Sequence, residues 1–271
     1  MRKNNFITLL LISIFATTLY SCEEQEIQPF SAETAVNFVV GSGDNWNIYE
    51  ENIQRSYNVY DTLIAKKQFP LESFTIKARL DIEGKTPEKP IKVKLYAKEV
   101  KGKEKVKVDL PEVLFEAGQT EVYFDIKVYT PRNYNIVNQV LICIDYANSD
   151  VVPGTKSRQE FLILVKDEAE KTFQQGTLSI PEEEYIATFE QYLGKFGEVK
   201  YRFAAINTPK SPAGIDDIKL RVAYSKLLPT EAEYGLQGAL PTYREKLKEY
   251  NEKHPDAPLK ESDGTLVELP N

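Results

Sequence analysis

A two-residue rhythm of apolar and polar positions runs through the first two thirds of the chain. It is clearest over 73–81, where Phe74, Ile76, Ala78 and Leu80 alternate with Thr75, Lys77 and Arg79. It also marks Val36, Phe38 and Val40, then Tyr57, Val59 and Asp61, then 91–98 and 121–129. Successive side chains of a strand point to opposite faces, so this spacing predicts half-buried antiparallel strands. Val106 and Val108 mark a shorter one. The runs over 139–146 and 161–165 are apolar at nearly every position and predict central strands covered on both sides. Gly84, Pro87, Pro90 and Gly118 supply turn chemistry between them. Evenly spaced strands without an intervening helical period predict a mainly β fold, an antiparallel sandwich over 35–167.

After Asp167 the pattern changes, and a smaller C-terminal α/β region is expected over 177–271. The stretch 168–176 reads as a polar linker or a short helix. Ser179, Ile180, Pro181 and Glu182 have the form of a capping box. Tyr185, Ile186, Phe189, Tyr192 and Leu193 then share one helical face, and Gly194 closes that helix. Val199, Tyr201, Phe203 and Ala205 alternate and predict one more strand, while 215–224 fits strand or helix. Thr230 and Glu233 are expected to cap a further helical stretch. Leu240, Tyr243, Leu247 and Tyr250 line one side of an amphipathic helix that runs to Lys253. The tail is loop-like, with a turn at Gly264 and a short strand at Leu266 and Val267.

The other end of the chain has no period at all. Arg2 and Lys3 precede an uncharged, mostly apolar run over 6–19, and Ser21-Cys22 follows. This is the layout of a signal peptide over 1–21, and the run is shorter than the roughly 20 residues of a membrane span. A cysteine directly after a small residue resembles a bacterial lipobox. The resemblance implies a diacylglycerol thioether on Cys22, cleavage before it, and fatty acylation of the new amino terminus with palmitate or a similar chain. The competing reading is an ordinary signal peptide that happens to carry a cysteine. An acidic tether over 22–34 follows, with Glu23, Glu24 and Glu26. It is either a solvated linker or, by resemblance, the export signal that carries Bacteroidota lipoproteins to the exterior. The placement expected is the outer membrane, lipid-anchored and facing outward.

Charge narrows the partners. The formal charge is -7, and losing Arg2 and Lys3 with residues 1–21 takes it to -9. An acidic chain with no basic cluster excludes nucleic acid as a partner and leaves membrane attachment to the acyl chains. With Cys22 lipidated, Cys143 stands alone, so no internal disulfide is expected. Its apolar surroundings predict a buried small hydrophobe, not a nucleophile. The single histidine, His254, sits in a polar stretch with nothing to hold it as a base. One His and one free Cys cannot build a usual zinc site. The cluster Glu182, Glu183 and Glu184 suits a helix N-terminus better than a catalytic pair. Asp216 and Asp217 form the other acidic cluster, and Asp44 and Asn45 are the oxygens a calcium reading would use. No catalytic residue, cofactor or metal site is expected. Trp46 either plugs one end of the sandwich or, with Tyr49, contacts a ligand.

Two family resemblances add to this. The stretch from Leu114 through Phe115, Glu116, Ala117 and Gly118 to Thr120, followed by an alternating strand, resembles a Calx-β-like module. The calcium-binding acids of that module are not evident here. The Cys–Trp–Cys signature of true immunoglobulin domains is missing too, so the sandwich is immunoglobulin-like in architecture only. Over the whole chain from Cys22, the sequence resembles the Bacteroidota lipoproteins grouped as domain of unknown function 4843. The lipobox, Phe115-Glu116-Ala117-Gly118, the run from Tyr192 to Phe203, the run from Glu249 to Pro255, and Asp263-Gly264 carry that resemblance. Phe189 departs from it, standing where members often have tryptophan. The resemblance implies a non-catalytic accessory in glycan or other nutrient capture beside a SusC/SusD-like importer. The alternative is a structural subunit that binds a protein of such a complex and has no ligand of its own.

Overall fold

Phe38 and Phe161 meet with ring centroids 6.0 Å apart, and Tyr57 meets Phe74 at the same separation. These pairs join two sheets and mark the interior of a β-sandwich. The computed structural model describes residues 33–42, 45–47, 53–131 and 133–271. In chain order these form β1 (Thr34–Ser42), β2 (Asn45–Asn47), β3 (Gln54–Asn58), α1 (Val59–Lys66), β4 (Ser73–Gly84), β5 (Ile91–Val93) and β6 (Leu95–Lys98). Next come β7 (Val108–Asp109), β8 (Val113–Phe115), β9 (Glu121–Tyr129), β10 (Asn138–Ile144), β11 (Val152–Pro153) and β12 (Glu160–Lys166). The C-terminal part holds β13 (Phe173–Gln175), β14 (Leu178–Ile180), α2 (Glu182–Leu193), α3 (Glu198–Ile206), α4 (Ile218–Leu227) and α5 (Leu236–Lys253).

One sheet runs β11-β1-β4-β9-β7 with β2 paired to β1, and the other runs β3-β12-β10-β6. Between them Phe74, Ile76, Ala78 and Leu80 face Val140, Ile142, Phe161, Ile163 and Val165, all buried in one core. Most pairings are antiparallel, as the alternation predicts. The exceptions are β1 with β11 and β12 with β3, which are parallel. A second core gathers around Tyr185, Phe189, Tyr201, Val222 and Tyr243 of the helices. Helix α1 joins the two, with Val59 and Leu63 in the sandwich core and Tyr60 against the helical one.

Several expected elements come out differently, for local reasons. The run over 91–98 is two strands, because β5 pairs with β8 while β6 pairs with β10. The break at Lys94 is satisfied by the turn that follows β10. Ser149 Oγ accepts from Lys94 N at 2.9 Å, and Lys94 O accepts from Asp145 N at 2.8 Å. The alternation at Tyr57, Val59 and Asp61 ends in a helix, since Asn58 accepts from Tyr60 N and caps α1. The strand expected at Val199, Tyr201, Phe203 and Ala205 is α3. All seven residues from Val199 to Ala205 are buried, so an all-round buried helix mimicked an alternating strand. Ser179 lies in β14 and caps nothing; Pro181 is the N-cap of α2, without a side-chain bond. Helix α5 starts after Gly235, not at Thr230 and Glu233, and Ser225 Oγ accepts its first amide, Leu236 N, at 2.7 Å. Arg221, buried against this turn, donates to the carbonyls of Glu233, Gly235 and Pro209.

Cys143 is buried at 3% exposure. Its strand neighbours are Glu160 and Tyr96, and Sγ lies 3.6 Å from Glu160 Oε1. Burial, and then the charge of Glu160, push the thiol above its ordinary range. The thiolate is the reactive form, so Cys143 is expected to resist alkylation at neutral pH in the native protein and to label on denaturation. Mass spectrometry of iodoacetamide-treated protein checks this, and rapid labelling of the folded chain would refute it.

Candidate functional site

The sandwich and the helices meet along a cleft, and its geometry begins with one buried cation. Arg202 on α3 has no solvent exposure. Its Nε and Nη2 donate to Asp167 Oδ1 at 2.9 and 2.7 Å, and Nη2 also reaches the Asp167 carbonyl at 3.0 Å. Nη1 donates to Glu198 Oε2 at 2.5 Å and to the Glu198 carbonyl at 3.0 Å. The guanidinium carbon lies 4.1 Å from the centroid of the Tyr134 ring. Burial works against the charged guanidinium, but Asp167 and Glu198 outweigh it and hold the pKa above its usual value. Burial would also raise Glu198, yet Lys171 at 2.7 Å and Arg202 bring its carboxyl below the ordinary range.

The segment over 255–271 forms a second wall. Glu261 accepts from Val199 N and Lys200 N, both at 3.0 Å, and so caps α3 from outside the helix. This approach needs Gly197, whose added Cβ would lie 2.0 Å from the Glu261 carboxylate. Leu259 and Val267 pack with Val199, Phe203 and Leu247. Lys260 and Leu266 form an isolated bridge around Gly264, at φ 86°, where the turn and short strand were expected.

Between these walls lies a cleft of about 890 Å³. Its lining includes Tyr129, Tyr134 and Tyr250, with Leu63, Phe69 and Leu71 among its apolar side chains. Each tyrosine is held by a neighbour. Arg202 lies on Tyr134, His254 stacks on Tyr250 with centroids 4.4 Å apart, and Lys107 and Lys127 lie 4.2 and 4.8 Å from the Tyr129 centroid. The Tyr129 hydroxyl donates to Asp109 at 2.7 Å. Rings fixed in this way meet a ligand with little entropy left to lose. On the other face of α1 a hollow of about 440 Å³ is lined by Tyr60, Ile64, Ile206, Asp61, Asp216 and Asp217. Burial pushes the Tyr60 phenol up to about 12, with Asp217 and Asp61 adding to the rise.

Of the residues singled out in the sequence, His254 braces a cleft tyrosine, and Asp216 and Asp217 line the smaller hollow. Trp46 pairs through its backbone with Gly41 in the β1–β2 hairpin. Tyr49 lies outside the described residues, as do Cys22, Glu23, Glu24, Glu26 and Asp44. Glu182, Glu183 and Glu184 occupy the first turn of α2. Asp217 caps α4, accepting from Lys219 N at 2.6 Å. His254 packs on Tyr250 and contacts its carbonyl through Nδ1 at 2.8 Å. Among the described residues no group of three or more His, Cys, Asp or Glu could hold a metal ion, and no helix is long and apolar enough to cross a membrane. The cleft residues Tyr129, Tyr134, Lys107 and Lys260 come from four separate segments. The abundance of tyrosine, 16 in all, was the one hint of them.

No protein-family model matches the chain, and no curated protein matches it. Among solved structures it is similar to the apo form of the Calx CBD1 domain, at 12% identity and TM-score 0.33, over 51% of this chain and 99% of that one. It is also similar to the calcium binding domain CBD12 of CALX1.1, at 10% identity and TM-score 0.31, over 42% of each chain. A third is Bacteroides thetaiotamicron EndoBT-3987 with Man5GlcNAc product, at 11% identity and TM-score 0.31, over 42% of this chain and 28% of that one. All three scores lie below 0.5, so the sandwich assignment rests on the strand order and the shared inter-sheet core.

Three predictions test the walls. Glu198 is held below its ordinary range in the fold. Its stabilising contribution is therefore present above the unfolded value and lost as pH falls through the lowered one. Glu198→Gln should melt lower than wild type near pH 7, with the gap closing in acid; a gap that stays constant would mean the charge is not what matters. Replacing Arg202 by Met strands a buried carboxylate at Asp167 and should cost about 3 kcal/mol in urea unfolding. For the second wall, Gly197→Ala should expel Glu261 from the end of α3 and match Glu261→Ala in stability loss, roughly 1 kcal/mol each. The double variant should lose no more than either one. Additive losses would show that the two residues act separately.

Proposed function

We propose that this protein is a surface lipoprotein of the bacterial outer membrane that captures a glycan or other nutrient chain without transforming it, beside a SusC/SusD-like importer. The observation that carries the reading is the cleft between the sandwich and the helices, with its three braced tyrosines. Sugar rings present apolar C–H faces that stack on aromatic rings, and a groove open to solvent admits a chain. Among the described residues, two of the three carboxylates along the cleft are already committed, Asp167 to Arg202 and Glu261 to the amides of α3. Glu72 alone is left, and hydrolysis of a glycosidic bond usually takes a pair. Binding without chemistry fits this lining. Attachment and placement rest on Cys22 and on Glu23, Glu24 and Glu26, together with the resemblance to the domain of unknown function 4843 lipoproteins.

The second reading is a structural subunit that docks a protein of an outer-membrane complex. It is favoured by adjacent exposed apolar pairs, Ile136 with Val137 and Leu227 with Leu228. Pull-down from solubilised outer membrane with and without added glycan separates the two.

Placement has its own test. Cys22→Ser removes the thioether, and an acidic chain has no second attraction to lipid, so the variant should leave the membrane fraction. Several acyl chains are needed for firm attachment, each buried methylene adding about 0.8 kcal/mol. Changing Glu23, Glu24 and Glu26 to Ala should keep the lipid and lose surface display. Protease shaving of intact against lysed cells reads both outcomes. Wild-type protein cut only after lysis would place it on the periplasmic side and remove the capture reading.

A further inference from the structure

We propose that the cleft binds an acidic glycan, a chain of sugar rings carrying carboxylate or sulfate groups; this rests on the capture reading and narrows its ligand. The argument is one of charge left over. The chain as a whole is acidic, at -7, yet the acids lining the cleft are mostly neutralised. Asp167 is matched by Arg202, and Glu261 is held by two amides of α3. Among the described residues Glu72 is the remaining carboxylate of the lining. Against it stand Lys107 and Lys260, one from the sandwich and one from the segment that forms the far wall. Both are exposed. Lys127 adds a third cation at the Tyr129 ring.

Lys107 and Lys127 rest on the π face of Tyr129 and take no carboxylate partner among the described residues, and Lys260 takes none either. These are three ammonium groups with their ion-pairing capacity unused, two in the lining of the cleft and one beside the Tyr129 ring. A neutral glycan would use the rings and leave the lysines idle. A polyanion with a charge at every step, such as a nucleic acid, would meet too few cations and the repulsion of the rest of the protein. A chain with sugar faces for the tyrosines and widely spaced anionic groups for the lysines uses both sets.

The test is calorimetric titration of the lipidated full chain in detergent with three probes: a galacturonate pentamer, a neutral xylose pentamer and a single-stranded oligonucleotide. The galacturonate chain should bind best, and raising salt should weaken it. The double variant Lys107→Ala with Lys260→Ala should lose roughly tenfold in affinity for it. Lys89→Ala with Lys210→Ala, exposed lysines outside the cleft lining, should change nothing. If the xylose pentamer binds as tightly, or the Lys107 and Lys260 changes have no effect, the acidic assignment fails while capture stands. Tighter binding of the oligonucleotide overturns it as well. If neither glycan binds, the capture reading falls and takes this proposal with it.

Discussion

A guanidinium with no access to water must find all its hydrogen bonds in protein, and Arg202 does so where the sandwich ends and the helices begin. Its partners are the residue just after β12 and the first residue of α3. A buried pair of this kind is weak evidence of added stability, because desolvation offsets most of the attraction. What it does supply is a fixed relation between two elements, since any other arrangement leaves a buried charge unmatched. Tyr134 and Tyr60 lie on the same guanidinium, at 4.1 and 5.8 Å. The orientation of one cleft tyrosine is therefore set by the same contact that sets the angle of α3.

Helix α1 makes the two cores interdependent. Ile64 packs against both of them, and Asn58, which caps the helix, also exchanges two hydrogen bonds with the backbone of Glu168. The cleft and the smaller acidic hollow lie on opposite faces of this one helix. A change that tilts α1 alters both spaces together.

The strands were the legible part of the fold. Residues 73–81 and 121–129 alternate because one face meets the core and the other meets water, and they pair with each other in full register. Legibility failed where burial is all-round. Over 198–206, Lys200 and Arg202 look like the polar face of a strand, but both are buried. Lys200 Nζ reaches the carbonyls of Leu193 and Lys195, and Arg202 reaches its carboxylates. No local pattern announces that Asp167, 35 residues away, matches Arg202. The cleft was illegible for the same reason. Tyr250 stood out as one side of an amphipathic helix, yet nothing near it in sequence points to Lys107 or Tyr134. Trp46 stood out as an aromatic ring in a Gly-rich stretch after the first strand.

The parallel pairing of β3 with β12 also has a kinetic side. Asn58 reaches Glu168 across 110 residues, so β3 must wait, long since made, until β12 exists. Closing so large a loop adds little to its equilibrium cost but slows the search. Meanwhile β12, with Phe161, Leu162, Ile163, Leu164 and Val165 in a row, is an apolar strand with one edge open. Such an edge is a template for pairing with another chain. The strand that finally covers it reads Gln54, Arg55, Ser56, Tyr57, Asn58. A polar, charged strand thus becomes the outer border of the sheet, and the apolar strand is left inside it.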